Sequence, residues 1–136
     1  MNSMVMVVDD EPDVEALFRQ QFRHELRDGA FVMMFALSAT AALEQLAVAD
    51  ASKVILLLSD INMPGMNGLD LLARLKSDRP DLPVVMITAY GDLDTRRQAT
   101  ERGADGLLTK PVDFSALRAE IGARVASRLT YPTAIP

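Results

Sequence analysis

The sequence predicts an α/β fold: a single doubly wound, five-stranded parallel sheet with helices on both faces. Two observations carry this. Five short apolar runs recur along the chain, and the segments between them place apolar residues at helical rather than alternating spacing. The runs are Met4–Val8, Phe31–Leu37, Val54–Leu58, Val84–Ile87 and Gly106–Leu108, with starts 27, 23, 30 and 22 residues apart. That is near the length of one strand–helix unit. The first four runs are almost continuously apolar, as expected for parallel strands covered on both faces.

The intervening segments read as helices. Val14, Leu17, Phe18, Phe22 and Leu26 share one helical face, and Phe114, Leu117, Ile121, Val125 and Leu129 share another. Shorter helices carry Leu43, Leu46 and Ala47, then Leu69, Leu72 and Leu75. The segment Asp92–Arg102 differs, because Leu93 and Ala99 are its only apolar anchors. It belongs at the low-stability end of the domain, as a solvated edge helix or a moving element. Residues 1–129 read as one domain. Residues 130–136, with two prolines and no periodicity, read as a tail or the start of a linker.

Composition sets limits on function. A chain of 136 residues that is 49% hydrophobic can bury one core of its own. The longest apolar run, Phe31–Leu37, falls far short of the roughly 18 residues that suggest a membrane span. No secretion signal opens the chain and there is no cysteine, so a cytoplasmic setting without membrane contact is expected. A net charge of −5 gives little counterion release, which argues against direct nucleic-acid binding.

In open parallel sheets, ligands bind beyond the carboxyl ends of the strands. Those ends carry Asp9, Asp10 and Glu11 after strand one, Ser59 and Asp60 after strand three, Thr88 after strand four, and Thr109 and Lys110 after strand five. In the flavodoxin-like order 2-1-3-4-5, strands one and three are neighbours. Asp9, Asp10 and Asp60 would then share a cleft flanked by Thr88 and Lys110. Three carboxylates repel unless a cation offsets them, and magnesium commonly takes one or two carboxylates with waters and a phosphate oxygen. Lys110 and the Thr88 hydroxyl would add donors for a transferring phosphoryl group, with Asp60 as in-line nucleophile.

Each residue alone has an ordinary explanation. Asp9 and Asp10 before Pro12 could start a helix, and Asp60 before Ile61-Asn62-Met63-Pro64-Gly65 could be a turn residue. His24, the only histidine, reads as a surface residue. Met4, Met6, Met33, Met34 and Met86 read as core filling. Arg96, Arg97 and Arg102 read as a solvated face first and a partner surface second. The combination at the strand ends is what neither helix capping nor turn chemistry explains.

The segments Val7-Val8-Asp9-Asp10-Glu11-Pro12, Ser59-Asp60-Ile61-Asn62-Met63-Pro64-Gly65-Met66-Asn67-Gly68, Thr88-Ala89 and Lys110-Pro111 together resemble the signature of response-regulator receiver domains, typified by CheY. The resemblance covers about residues 4–128. It implies that Asp60 is the phosphoacceptor, served by a histidine kinase or histidine phosphotransfer protein. It further implies that Asp10 binds magnesium (or manganese) directly, Asp9 mainly through water, Asp60 as a third ligand, and Asn62 through its backbone carbonyl. Thr88 and Lys110 would hold the phosphoryl group, and Lys110–Pro111 would be cis.

The sequence departs from the family at one switch position. Receiver domains usually carry an aromatic residue three before the lysine, and here that residue is Leu107. The usual threonine–aromatic coupling therefore lacks its ring. Tyr90, two residues after Thr88, is a further switch candidate, expected near the site and restricting attacking water. The reading is of a switch that catalyses only its own phosphorylation and dephosphorylation. Its output would pass to a downstream protein or a fused effector domain. The helix between strands four and five, strand five and the last helix form the candidate partner or homodimer surface.

Two enzyme-like or cofactor readings compete. A phosphohydrolase with an aspartate nucleophile would want a second acid two residues on, where Asn62 stands. A flavin-mononucleotide carrier would want a glycine- and hydroxyl-rich loop where Asp9-Asp10-Glu11 would repel phosphate. A third reading, a docking module independent of phosphorylation, leaves the acid, threonine and lysine set without a purpose.

Overall fold

The computed structural model describes residues 3–48, 51–89 and 92–134, with side chains omitted at 51 and 128–134. Strands β1 (Met4–Val8), β2 (Val32–Ala36), β3 (Val54–Asp60), β4 (Val84–Thr88) and β5 (Gly106–Thr109) form one sheet in the order β2-β1-β3-β4-β5. Every pairing is parallel, as the apolar runs required. The helices are α1 (Asp13–Gln21), α2 (Arg23–Arg27), α3 (Ala39–Val48), α4 (Gly68–Asp78), α5 (Leu93–Glu101) and α6 (Phe114–Ala134).

Strand side chains alternate between faces, so each central strand feeds two cores. Val5 and Val7 of β1 join Phe18, Phe22, Leu56, Leu58, Leu117 and Ile121 beneath α1 and α6. Met6 and Val8 join Ala42, Leu46, Leu57, Leu71, Leu72, Leu75 and Met86 beneath α3 and α4. All five phenylalanines pack on the first face. Phe18 meets the edge of Phe114 at a centroid distance of 5.2 Å, and Phe22 meets Phe31 at 5.9 Å. The second face is aliphatic. Among the described residues, no helix is long and apolar enough to cross a membrane.

The structure modifies three details of the sequence reading. The first helical stretch is two helices: Phe22 leaves the helical region at φ −108°, ψ 20°, and packs fully buried between them. Leu17, assigned to the apolar stripe, is 47% exposed and lines a surface groove. The last helix continues through Ala134, into the segment read from the sequence as a tail or the start of a linker. Pro132 forfeits one ladder hydrogen bond there without ending the helix.

Strand β3 sets the position of the central acid. It runs two residues past its apolar stretch because Ser59 pairs with Val8 and Met86, and Asp60 pairs with Ile87. Asp60 therefore sits on a rigid central strand rather than on a loop. Gly68 fixes the far side of the β3–α4 loop. Its N–H donates to the Ile61 carbonyl at 2.8 Å, and a Cβ at this position would overlap the Asp60 carbonyl oxygen. Only glycine permits so close an approach.

Candidate functional site

The sheet order brings the carboxyl ends of β1 and β3 side by side, and three acids meet there. Oxygens of Asp9, Asp10 and Asp60 lie within 4.8 Å of one another. Asp9 and Asp60 are 8% and 5% exposed, while Asp10 opens to solvent. Asp9 does not cap α1: the helix has Pro12 at its N-cap and no side-chain cap bond. Instead Asp9 Oδ1 accepts the Glu11 N–H at 2.9 Å, which orients its carboxylate beside the strand end. Burial pushes the Asp9 carboxyl above its ordinary pKa, and the Asp60 charge adds to this against the Glu11 hydrogen bond and Lys110.

Asp60 is held at both oxygens. Oδ1 accepts the Ile61 N–H at 2.8 Å, and Oδ2 accepts from Lys110 Nζ at 3.2 Å. Burial works against the Lys110 charge, but the Asp60 hydrogen bond and the surrounding acids outweigh it, so its pKa is raised. The ammonium is presented by a cis Lys110–Pro111 peptide, as the resemblance implied. The Lys110 N–H also donates to the Thr88 carbonyl at 2.8 Å, tying the two strand ends together.

The Thr88 side chain is 1% exposed, yet its hydroxyl turns toward β5 rather than Asp60. It donates to the Leu108 carbonyl at 3.4 Å. Leu107 pairs with Met86 across β4 and packs, partly buried, against the aliphatic core. Asn62 is exposed in the loop after Asp60. Tyr90 lies outside the described residues. The sequence reading missed Arg96, which it placed on a solvated face. Arg96 Nη1 instead donates to Thr109 Oγ1 at 2.9 Å and to Thr88 Oγ1 at 3.4 Å. No sequence signal distinguishes it from its neighbour Arg97, which pairs with Asp94 and Glu101.

Beside the acids, a groove of about 280 Å³ opens between α1 and the β5–α6 loop. Val14, Leu17, Phe18, Val112 and Phe114 give it an apolar wall, and Asp9 and Lys110 form its rim toward the acids.

The family model for the response regulator receiver domain matches residues 5–122. The chain belongs to the response regulator receiver family. Receiver domains are signalling switches of two-component systems, and this one has the CheY-like fold. It is 38% identical to the response regulator protein PilR of Pseudomonas aeruginosa over 129 residues, 95% of this chain and 27% of PilR. It is 37% identical to the C4-dicarboxylate transport transcriptional regulatory protein DctD of Rhizobium meliloti, over 90% of this chain and 25% of that one. The receiver thus spans about a quarter of the length of these regulators. By contrast it covers 90% of sporulation initiation phosphotransferase F of Bacillus subtilis, at 30% identity over 87% of this chain.

Solved receiver structures agree. The receiver domain of NtrX from Brucella abortus superposes with a TM-score of 0.73 at 31% identity, covering 90% of this chain and 98% of that one. A receiver domain protein from Clostridium thermocellum gives 0.80 at 25% identity, covering 93% and 96%.

Proposed function

We propose that this receiver takes a phosphoryl group on Asp60 from a histidine kinase or a histidine phosphotransfer protein. The observation that carries the reading is the convergence of Asp9, Asp10, Asp60 and Lys110 at one strand-end cleft. Asp60 Oδ2, which faces Lys110, is the attacking atom. The new P–O bond forms as the donor's P–N bond breaks, and the departing imidazole keeps the bonding pair and takes a proton. Lys110 neutralises charge on the transferred group, and the Ile61 N–H holds the other Asp60 oxygen in place.

The site fits a divalent cation. Three carboxylates so close, with one ammonium to offset them, form the oxygen-donor set that magnesium or manganese prefers. Asp10, Asp9 and Asp60 would hold it, with the Asn62 backbone carbonyl as a further ligand. Bound there, the ion would supply positive charge to the phosphoryl oxygens. Thr88 would rotate away from Leu108 to donate to a phosphoryl oxygen.

The apolar groove next to Lys110 suits a donor helix that presents its histidine to Asp60. Its proximity to the acids favours this use over a small-molecule site. The setting is read as cytoplasmic. An output through a fused effector or a separate partner accords with the relatives, which include both long regulators and a protein of receiver size. Transfer of labelled phosphoryl from a phosphohistidine protein tests the reading. Label should reach the wild-type chain, vanish with a chelator, and slow on the order of a hundredfold in Lys110→Ala. Label transfer that is indifferent to both changes would refute it.

A further inference from the structure

We propose that Arg96 is the positioning residue through which the state of Asp60 reaches α5. The inference rests on the reading of Asp60 as phosphoacceptor and Thr88 as a phosphoryl contact. Thr88 and Thr109 are paired across the ends of β4 and β5, and one guanidinium nitrogen of Arg96 spans both hydroxyls. The two contacts are unequal. At 2.9 Å the Thr109 bond has ordinary length, whereas the 3.4 Å contact to Thr88 is long. Thr109 anchors the arginine, and Thr88 is held lightly.

The Thr88 hydroxyl has a single proton. It now points to the Leu108 carbonyl, an equally long 3.4 Å contact, so donation to a phosphoryl oxygen requires the hydroxyl to turn away from β5. That turn withdraws the oxygen that Arg96 reaches. Leu107 offers no polar atom to register the movement, and its side chain packs into the aliphatic core. Arg96 is therefore placed to sense it. Phosphorylation removes the weaker of the two strand-end contacts of Arg96, and α5, whose only buried residue is Ala99, then rests on the Thr109 bond and the Arg102–Asp70 ion pair to α4. In the unphosphorylated state the same contact favours the Thr88 rotamer that points away from Asp60, acting as a light brake.

The test uses acetyl phosphate and magnesium as phosphoryl source, with intact mass for the phosphorylation rate and hydrogen exchange for α5. In the wild type, α5 amides should exchange faster once Asp60 is phosphorylated. Arg96→Ala should phosphorylate about two- to threefold faster, the worth of one weak hydrogen bond, with α5 exchange no longer responding to phosphorylation. Thr109→Val, which removes the anchor but keeps Arg96, should shift the rate in the same direction. In a Thr88→Val background, Arg96→Ala should leave the rate unchanged, because the hydroxyl it restrains is gone. An equal Arg96→Ala effect in both backgrounds would show only loosening of a helix and overturn the proposal. A wild type that phosphorylates normally alongside an unaltered Arg96→Ala would overturn it too. A wild type that never gains a phosphoryl group would overturn the Asp60 reading itself.

Discussion

Helices α4 and α5 cover neighbouring parts of the same sheet face, yet they are held by different forces. α4 buries Gly68, Leu69, Leu71, Leu72 and Leu75, and the Asn67 side chain caps it by accepting the Asp70 N–H at 2.9 Å. α5 buries Ala99 alone among its residues, and its largest aliphatic, Leu93, is 75% exposed. α5 has a like cap, Asp92 accepting the Thr95 N–H at 3.1 Å. In place of apolar contact, however, it has ion pairs, Arg97 with Asp94 and Glu101 and Arg102 with Asp70 of α4, and the reach of Arg96 to the strand ends. Burial fixes α4 to the sheet, and with it the loop that follows Asp60. Charge pairs leave α5 easy to move. The helix that follows Asp60 is held by burial, and the helix beside Thr88 is held mainly by polar contacts.

The largest break in this contrast should come from the α4 core. Leu72→Ala empties a fully buried position and should cost about 2–5 kcal/mol in denaturant unfolding. Gly68→Ala should come next, at about 1–3 kcal/mol, although alanine is the better helix former. An added Cβ there meets backbone, with Ile61 Cα at 2.7 Å, so the β3–α4 loop must shift and Asp60 phosphorylation should slow as well. On α5, Leu93→Ala should change unfolding by less than about 0.5 kcal/mol. A destabilisation of Leu93→Ala comparable to that of Leu72→Ala would erase the distinction.

The subtlest effect is acidic. Hydrogen bonds from Arg97 and Gln98 hold the Asp94 carboxyl below its ordinary range. Its support of α5 is therefore complete above the ordinary carboxylate pKa and is lost as pH falls through the lowered value. After correction for intrinsic exchange, α5 amides should lose protection over that acidic window before those of α4. Asp94→Asn should flatten the difference, with little change in global stability.

Much of the architecture was legible in the sequence because parallel strands advertise themselves as continuous apolar runs. The acids at the ends of β1 and β3 and the lysine after β5 were legible for the same reason, since strand ends locate side chains in a doubly wound sheet. What the sequence withheld depended on side-chain direction. The break at Phe22 carries no glycine or proline, so periodicity passes through it unmarked. Arg96 stands beside Arg97 with the same chemistry, and only the helix rotation sends one to Thr88 and the other to acids on its own helix. Thr88 stands at the end of β4 as its position in the sequence implied, but the turn of its hydroxyl toward Leu108 is a rotamer, which composition cannot encode.

The proposed function stands on Asp60 as the residue that receives the phosphoryl group. Intact-mass measurement after incubation with acetyl phosphate and magnesium tests this most directly. One added phosphoryl group is expected on the wild type, and none on Asp60→Asn or when the metal is chelated. Equal mass gain in Asp60→Asn, or no gain in the wild type, would contradict the assignment of Asp60 as phosphoacceptor.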